Sequence, residues 1–511
     1  MNQRETTWLR KIIFLSIAIL AAVLSAARIK PAFAQIAPAH FDSVDVYISS
    51  KMKELGIPGA ALVVVQGDQI VHLKAFGIAD ADGRLVTPQT PFFTGSTGKS
   101  FTVLAIMQLA EAGKIELDSP VQTYLPWFRV ADIKASEMIT VRQLLNMASG
   151  IPQSIGQEQI ANIDLSDSAI ENNVRALAKI ELIAPSGERY EYSNANYVTL
   201  GMLVQAVSGQ SYEEYITEHI FNPLDMQNSF ASKTEAEQAG LAIGYQKWFG
   251  IPVASSNLPF SRGSLPAGYL VMSTEDFGHY LIAQLNDGTY HGVSVLSPEG
   301  IAELHHPVIQ MPGSTDFYAM GWEVQQYQNV QVISHNGAVP GYTTGMFLVP
   351  AKHLAVALVM NTYSPMLGIR VQRVPSSVLR MLLGQPIIPG YEFPYMRIIF
   401  ALVMLIPLLH LLAVLATFRR LRHWRTSAQH PTQTQTVLFI TLPLIWNALI
   451  AYILLILLPS AFDANLKTVI LFQPDIGWVA VVSGIFAIVW GLVRTGFIII
   501  GLNKGRFRLF G

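Results

Sequence analysis

The two ends of the chain are apolar almost without interruption, whereas the long stretch between them is patterned. Residues 12–27 form an apolar run broken only by Ser16 and Ser25. Three further runs, 398–418, 437–458 and 478–502, each reach the roughly 20 residues that cross a hydrocarbon core. Between the ends, 44–55 has helical spacing. Runs 60–65 and 69–77 are separated by Gly67-Asp68, which reads as a hairpin. Four more strand-like runs follow in quick succession at 321–327, 330–335, 345–349 and 354–360. Their connections are too short for crossovers, so these strands cannot all be parallel. The intervening chain is mostly helical and rich in loops. The expected fold is α/β in the α+β sense: an antiparallel sheet built from both ends of the central segment, flanked by helices, with a helical region inserted. A three-helix transmembrane bundle follows it.

Charge sharpens this division. The 511 residues sum to a net charge of −1 with 14% charged residues, and mean hydropathy is +0.36. Residues 1–34 carry +4, residues 35–397 carry −12 and residues 398–511 carry +7. The near-zero total and sparse charge argue against a nucleic-acid partner. The absence of cysteine removes thiol nucleophiles, thiolate metal sites and disulfides together.

Arg4, Arg10 and Lys11 precede the first apolar run, and Ala32-Phe33-Ala34 follows it before Gln35. That order reads as a signal peptide over 1–34, with an uncleaved anchor as the alternative. Arg419, Arg420, Arg422 and Arg425 follow the first C-terminal run, and Lys504, Arg506 and Arg508 follow the third. The positive-inside rule makes both segments cytoplasmic, which leaves residues 35–384 extracytoplasmic and 385–397 as a linker. The expected location is the plasma (inner) membrane, multi-pass, with the lipid bilayer as a partner. His410, Asn447 and Arg494 are polar positions within the spans. Asn447 is expected to bond a neighbouring helix and Arg494 to snorkel.

G-x-S-x-G, H-E-x-x-H and the phosphate-binding G-x-x-x-x-G-K-[ST] are all absent, and His305-His306 has no third ligand at metal spacing. No metal or cofactor is expected. What does occur is Gly95-Ser96-Thr97-Gly98-Lys99, ahead of an apolar helix at 101–112. At a helix start, positions i and i+3 share a face, so Lys99 can reach the Ser96 hydroxyl. A serine needs a neighbouring base to become a nucleophile, and a desolvated lysine can serve. Alone the pair is weak, since Ser50 and Lys53 repeat the spacing on what reads as a solvated helix face. Two later elements strengthen it: Tyr192-Ser193-Asn194, and His335-Asn336-Gly337-Ala338.

With these three motifs in order, the chain resembles the serine β-lactamase and penicillin-binding-protein group over about residues 40–384. The tyrosine in the middle motif is similar to the class C branch and its peptidase and esterase relatives. The stretches Ile139-Thr140-Val141-Arg142-Gln143-Leu144-Leu145, Ser149-Gly150-Ile151-Pro152 and Tyr124-Leu125-Pro126 fit the same branch. The resemblance implies a β-lactamase/transpeptidase-like fold, with Ser96 as the acylated nucleophile and Lys99 and Tyr192 sharing proton transfer. A nearby lysine is expected to lower the Tyr192 phenol. Asn194 would bond substrate and Lys99, and backbone N–H groups of Ser96 and Ala338 would form the oxyanion hole beside Gly337. His335 stands where the β-lactamases and carboxypeptidases carry lysine, so the resemblance is nearer to esterases and amidopeptidases there. Tyr190 and Tyr197 read as core packing.

The expected function is a membrane-anchored extracytoplasmic serine hydrolase of an amide or ester, acting on D-residue-containing or acylated peptides. The layout of signal, hydrolase and three membrane helices also resembles the peptidases that unmask nonribosomal-peptide prodrugs, which implies an exporter or other membrane protein as neighbour. The alternatives are a penicillin-binding D,D-carboxypeptidase or β-lactamase, and a non-catalytic anchored binding module. Specificity is expected from the loops 151–173 and 244–268, which carry no readable chemistry.

Overall fold

A computed structural model describes residues 38–256, 258–365, 368–388, 395–426, 432–462 and 464–501. The expected signal peptide, the linker residues Pro389, Gly390 and Pro394, and the basic tail with Lys504, Arg506 and Arg508 lie outside the described residues.

The chain enters through helix α1 (Pro38–Leu55) and the hairpin β1 (Gly59–Gln66) and β2 (Gln69–Gly77). Gly67, at φ +66°, makes the tight turn between them. Much later the chain returns to the same sheet as β3 (Ile309–Gln310), β4 (Phe317–Tyr318), β5 (Glu323–Tyr327), β6 (Val330–Val339), β7 (Tyr342–Val349) and β8 (Leu354–Met360). The order is β2-β1-β8-β7-β6-β5-β4-β3, and every neighbouring pair is antiparallel. Both ends of the domain therefore meet at the β1–β8 ladder, where Ala61 pairs with Val359 and Val63 with Ala357.

β1 and β8 are apolar at nearly every position because both of their faces are covered. Helix α4 (Thr274–Leu285) packs on one face of β1 and β8, and helix α5 (Gly368–Leu382) packs on β7, β8 and α1. β6 and β7 extend further than their apolar runs suggest, to a turn at Pro340-Gly341 where Val339 pairs with Tyr342. The hidden residues are the small and polar ones of the third motif, which break the apolar pattern without breaking the strand. The inserted region is helical and includes α2 (Lys99–Glu111) and α3 (Asn194–Ser208).

Three C-terminal helices are long and apolar enough to cross a membrane: α6 (Tyr395–Thr426), α7 (Gln433–Tyr452, continued by further helical turns to Ser460) and α9 (Pro474–Gly501). Arg494 does not snorkel. Its Nε donates to Thr417 Oγ1 of α6 (3.2 Å) and its Nη1 to the Phe439 carbonyl of α7 (2.5 Å), so it ties the three helices together. Asn447 bonds within its own helix, to the Pro443 carbonyl at 2.6 Å. The His410 ring packs on Phe486.

Between α7 and α9 lies an unexpected short helix, α8 (Leu466–Phe472). The connector that contains it rests on the domain of the eight-stranded sheet, against a small sheet of the hairpin Gly244–Trp248 and Ile251–Ser255 with Thr362–Tyr363 alongside.

Candidate active site

Ser96 lies within a 3-10 turn, Gly95–Gly98, which runs straight into α2, whose first residue is Lys99. With three residues per turn, positions i and i+3 eclipse, so the Lys99 side chain lies directly along the Ser96 hydroxyl. The two-residue pairing of Phe92–Phe93 with Val271–Met272 anchors the entry to this turn. On the other side β6 passes very close. A Cβ on Gly337 would stand 2.1 Å from the Thr94 carbonyl oxygen, and one on Gly95 would stand 2.4 Å from the Ala338 nitrogen. Both motifs thus need glycine where the backbones meet. Gly337→Ala is expected to cost about 1–3 kcal/mol of stability through forced separation of β6 from the turn, measured by urea unfolding of the purified protein.

Lys99 is fully buried, and its Nζ donates to three acceptors: Ser96 Oγ at 2.9 Å, Asn194 Oδ1 at 2.7 Å and the Ala267 carbonyl at 2.5 Å. Burial pushes the amine well below the usual lysine range. The Tyr192 ring lies 5.1 Å from Nζ and the Tyr197 ring 5.5 Å. Tyr197 therefore does more than fill core, since its ring face lies against this amine while its hydroxyl bonds the Leu145 carbonyl. The Tyr192 hydroxyl donates to Ser96 Oγ at 2.8 Å. Its phenol is not lowered. Burial pushes it above the ordinary tyrosine range, against the opposing pull of the Ser96 hydrogen bond.

Asn194 opens α3 and is nearly buried. The turn before it is held by the segment the sequence had marked at 139–152: the Met147 carbonyl accepts from Glu191 N, Ser149 Oγ donates to Asn196, and Ser193 Oγ donates to the Pro152 carbonyl. Gly156 lets the helix Gln153–Ile160 come within contact of Asn194, where a Cβ would lie 2.5 Å from the Asn194 nitrogen.

A cavity of about 370 Å³ opens on this cluster. Ser96, Tyr192, Asn194 and Ala338 line it, as does Asn336, the middle residue of the third motif, whose Oδ1 has no partner. His335 does not line it. It is 2% exposed and sits behind Tyr192, with ring centroids 6.4 Å apart. Its Nδ1 donates to the Asn336 carbonyl (2.7 Å) and its Nε2 faces the Tyr318 hydroxyl at 3.4 Å. Burial, and then the Lys99 charge, push His335 down to about 3, so the ring is neutral across the working range. Strand alternation explains the swap, since Asn336 and Ala338 share one face of β6 and His335 has the other.

Ala267, Tyr318 and Asn336 were not singled out from sequence. Ala267 acts through a backbone carbonyl and leaves no side-chain signal. Of the two loops expected to give specificity, 151–173 reaches the cavity through Gln157 and Ile160. None of the described residues of 244–268 lines it. The opposite wall comes instead from the connector between α7 and α9. Among the described residues no three His, Asp or Glu side chains converge on a metal site.

Comparison with known proteins identifies the family of the fold. The Beta-lactamase family model matches residues 44–372. The chain is 30% identical over 323 residues to Protein flp of Staphylococcus aureus, a match that covers 63% of this chain and 63% of that protein. It is 28% identical over 325 residues to the unguisins hydrolase ungD' of Aspergillus campestris, covering 60% of this chain and 59% of the relative. The octameric penicillin-binding protein homologue from Pyrococcus abyssi superposes with a TM-score of 0.61 at 30% identity, over 70% of this chain and 80% of that one. A family model spanning well over half the chain, around a Ser–Lys–Tyr cluster at hydrogen-bonding distance, makes this chain a member of the beta-lactamase family.

Proposed function

We propose that the protein is a membrane-anchored serine hydrolase that cleaves an amide or ester of a capped or acylated peptide through an acyl-enzyme on Ser96. The observation that carries this reading is the convergence of Lys99 Nζ and Tyr192 OH on one serine oxygen, at 2.9 and 2.8 Å, at the cavity surface.

Burial favours the neutral form of the Lys99 amine. A neutral Lys99 keeps two N–H bonds for Asn194 Oδ1 and the Ala267 carbonyl and turns its lone pair to Ser96. It takes the Ser96 proton as Oγ attacks the substrate carbonyl carbon. The resulting oxyanion is held by the backbone N–H groups of Ser96 and Ala338. Tyr192, a neutral phenol, gives its proton to the leaving group as the tetrahedral carbon collapses to the acyl-enzyme, and is reprotonated from the Lys99 ammonium. Water then enters by the reverse relay and releases the acid.

Tyr192→Phe is expected to lower amide hydrolysis about 10²-fold and to leave p-nitrophenyl ester acylation much less changed, because nitrophenolate departs without a proton. Parallel kinetics on an anilide and an ester with the same acyl part check this. Equal losses on both would remove Tyr192 from the leaving-group step.

The wall chemistry favours a capped substrate over a carboxypeptidase substrate. Asp, Glu, Lys, Arg and His are all absent from the described residues that line the cavity, and His335, in the position of the carboxylate-binding lysine, is neutral and turned away. A free terminal carboxylate would meet no cationic side chain among the described residues that line the cavity. The long apolar helices, with large exposed residues such as Leu402, Leu442 and Val482, support anchoring in a bilayer.

A further inference from the structure

We infer that the connector between the second and third membrane helices is the specificity wall of the Ser96 site, and that it receives an apolar chain of the substrate. This rests on the hydrolase reading above and adds the ligand chemistry and the segment that selects it.

One cavity joins the two regions. At one end are Ser96 and its partners; at the other are Leu458, Phe462, Val469, Phe472 and Ile476, all from the connector and its flanks. The polar connector residues that line the cavity, Thr468 and Gln473, are already engaged. Thr468 Oγ1 donates to Asn465 Oδ1, Gln473 Oε1 accepts from Ser364 Oγ at 2.8 Å, and Gln473 Nε2 donates to Asp475 Oδ1 at 2.6 Å. What remains toward the cavity is hydrocarbon, which binds hydrocarbon and rejects charge.

The wall is held in place. Asp475 is 1% exposed and accepts from Phe249 N, Ile476 N and Gln473 Nε2. Gln246 Nε2 donates to the Leu471 carbonyl at 2.5 Å, and the Tyr363 ring meets Phe472 edge-on at 5.7 Å. The hairpin Gly244–Trp248/Ile251–Ser255 thus acts as the mount for the wall. A surface clamped by buried polar contacts on both sides is built to present one shape. Its position adds the source of the ligand. The connector joins the end of one span to the start of the next, so the apolar end of the cavity lies where hydrocarbon chains of the bilayer begin.

The test uses the full-length protein in one detergent at fixed concentration, with p-nitrophenyl esters of N-acyl-D-alanine from acetyl to dodecanoyl. kcat/KM is expected to rise about fourfold per added methylene over the middle of the series, and Val469→Asp is expected to flatten that rise. A flat series in a wild-type protein that turns the esters over, or an unchanged slope in the variant, overturns the inference. Because the chain has no cysteine, Val469→Cys in a Ser96→Ala background reports on the wall without catalysis. The dodecanoyl ester should protect it from maleimide labelling and the acetyl ester should not; equal labelling overturns the inference. Absence of turnover with every ester would count against the hydrolase reading, while the protection experiment would still decide the wall.

Discussion

Ser96→Ala is expected to abolish hydrolysis, with a loss in kcat of about 10⁶-fold, the scale seen when a serine nucleophile is removed from a preorganised site. Ser96 Oγ is the meeting point of Lys99 and Tyr192, and no other hydroxyl receives both. The variant should fold normally. Lys99 retains Asn194 Oδ1 and the Ala267 carbonyl as acceptors, and Ser96, partly open to the cavity, leaves space that water can fill. Intact mass after incubation with a fluorophosphonate gives the readout: one adduct on wild type and none on the variant, with matching unfolding curves. Persistence of the adduct would place the nucleophile elsewhere. A binding module, by contrast, would show no adduct on either protein.

Much of this site was readable from residue order, for a specific reason. Ser96, Lys99, Tyr192 and Asn194 meet through their side chains, so residue type and spacing were enough to single them out. The sheet was readable in the same way: β1 and β8 are buried on both sides, so their apolar runs are continuous, and the hairpin turn is marked by Gly67. What was hidden has a different physical character. The Ala267 carbonyl is a backbone group, so any residue at that position could supply it. His335 matched a motif that in relatives reaches the substrate, but its ring faces the tyrosine layer of Tyr192 and Tyr318, while its neighbour Asn336 faces the cavity. A motif fixes the order of residues, and strand alternation decides which of them sees the ligand. The Tyr192 phenol was expected to be lowered by its lysine neighbour, but desolvation raises it against the Ser96 hydrogen bond. Burial opposes the phenolate as it opposes the ammonium, raising the Tyr192 phenol and lowering the Lys99 amine.

The connector was hidden for another reason. Read as a loop between two spans, 459–473 offers little charge and no motif. Its contacts are made by Gln473 and Asp475 with groups more than 100 residues distant in sequence, such as Phe249 N and Ser364 Oγ. The helix α8 is seven residues long, too short to be marginally stable alone, and exists because the hydrolase domain holds it. The domain of the eight-stranded sheet and the C-terminal apolar helices thereby share one cavity, which starts at Ser96 and ends on residues of the connector.

The second large effect concerns Lys99. Lys99→Met keeps a similar volume in a fully buried slot and removes the only amine at Ser96. It should lower kcat/KM by about 10²–10⁴-fold, the usual contribution of a positioned base. The structural cost is mixed. Asn194 Oδ1 and the Ala267 carbonyl lose their donor, at about 1–3 kcal/mol for each buried group left unpaired, and the desolvation that opposed the buried amine disappears. The pH profile separates catalysis from packing. In wild type the active form carries neutral Lys99, so activity should rise with pH through a midpoint well below the ordinary lysine value, the direction in which burial moves it. His335, at about 3, contributes no limb near neutrality, and Tyr192, pushed upward, contributes none there either. Glu323, which burial pushes up to about 7 and which acts on Tyr192, also titrates near neutrality, so the ascending limb that vanishes in Lys99→Met and persists in Glu323→Gln is the one that belongs to Lys99. If the limb survives with only its height reduced, Lys99 is a packing residue that positions Ser96, and the base must be sought in Tyr192.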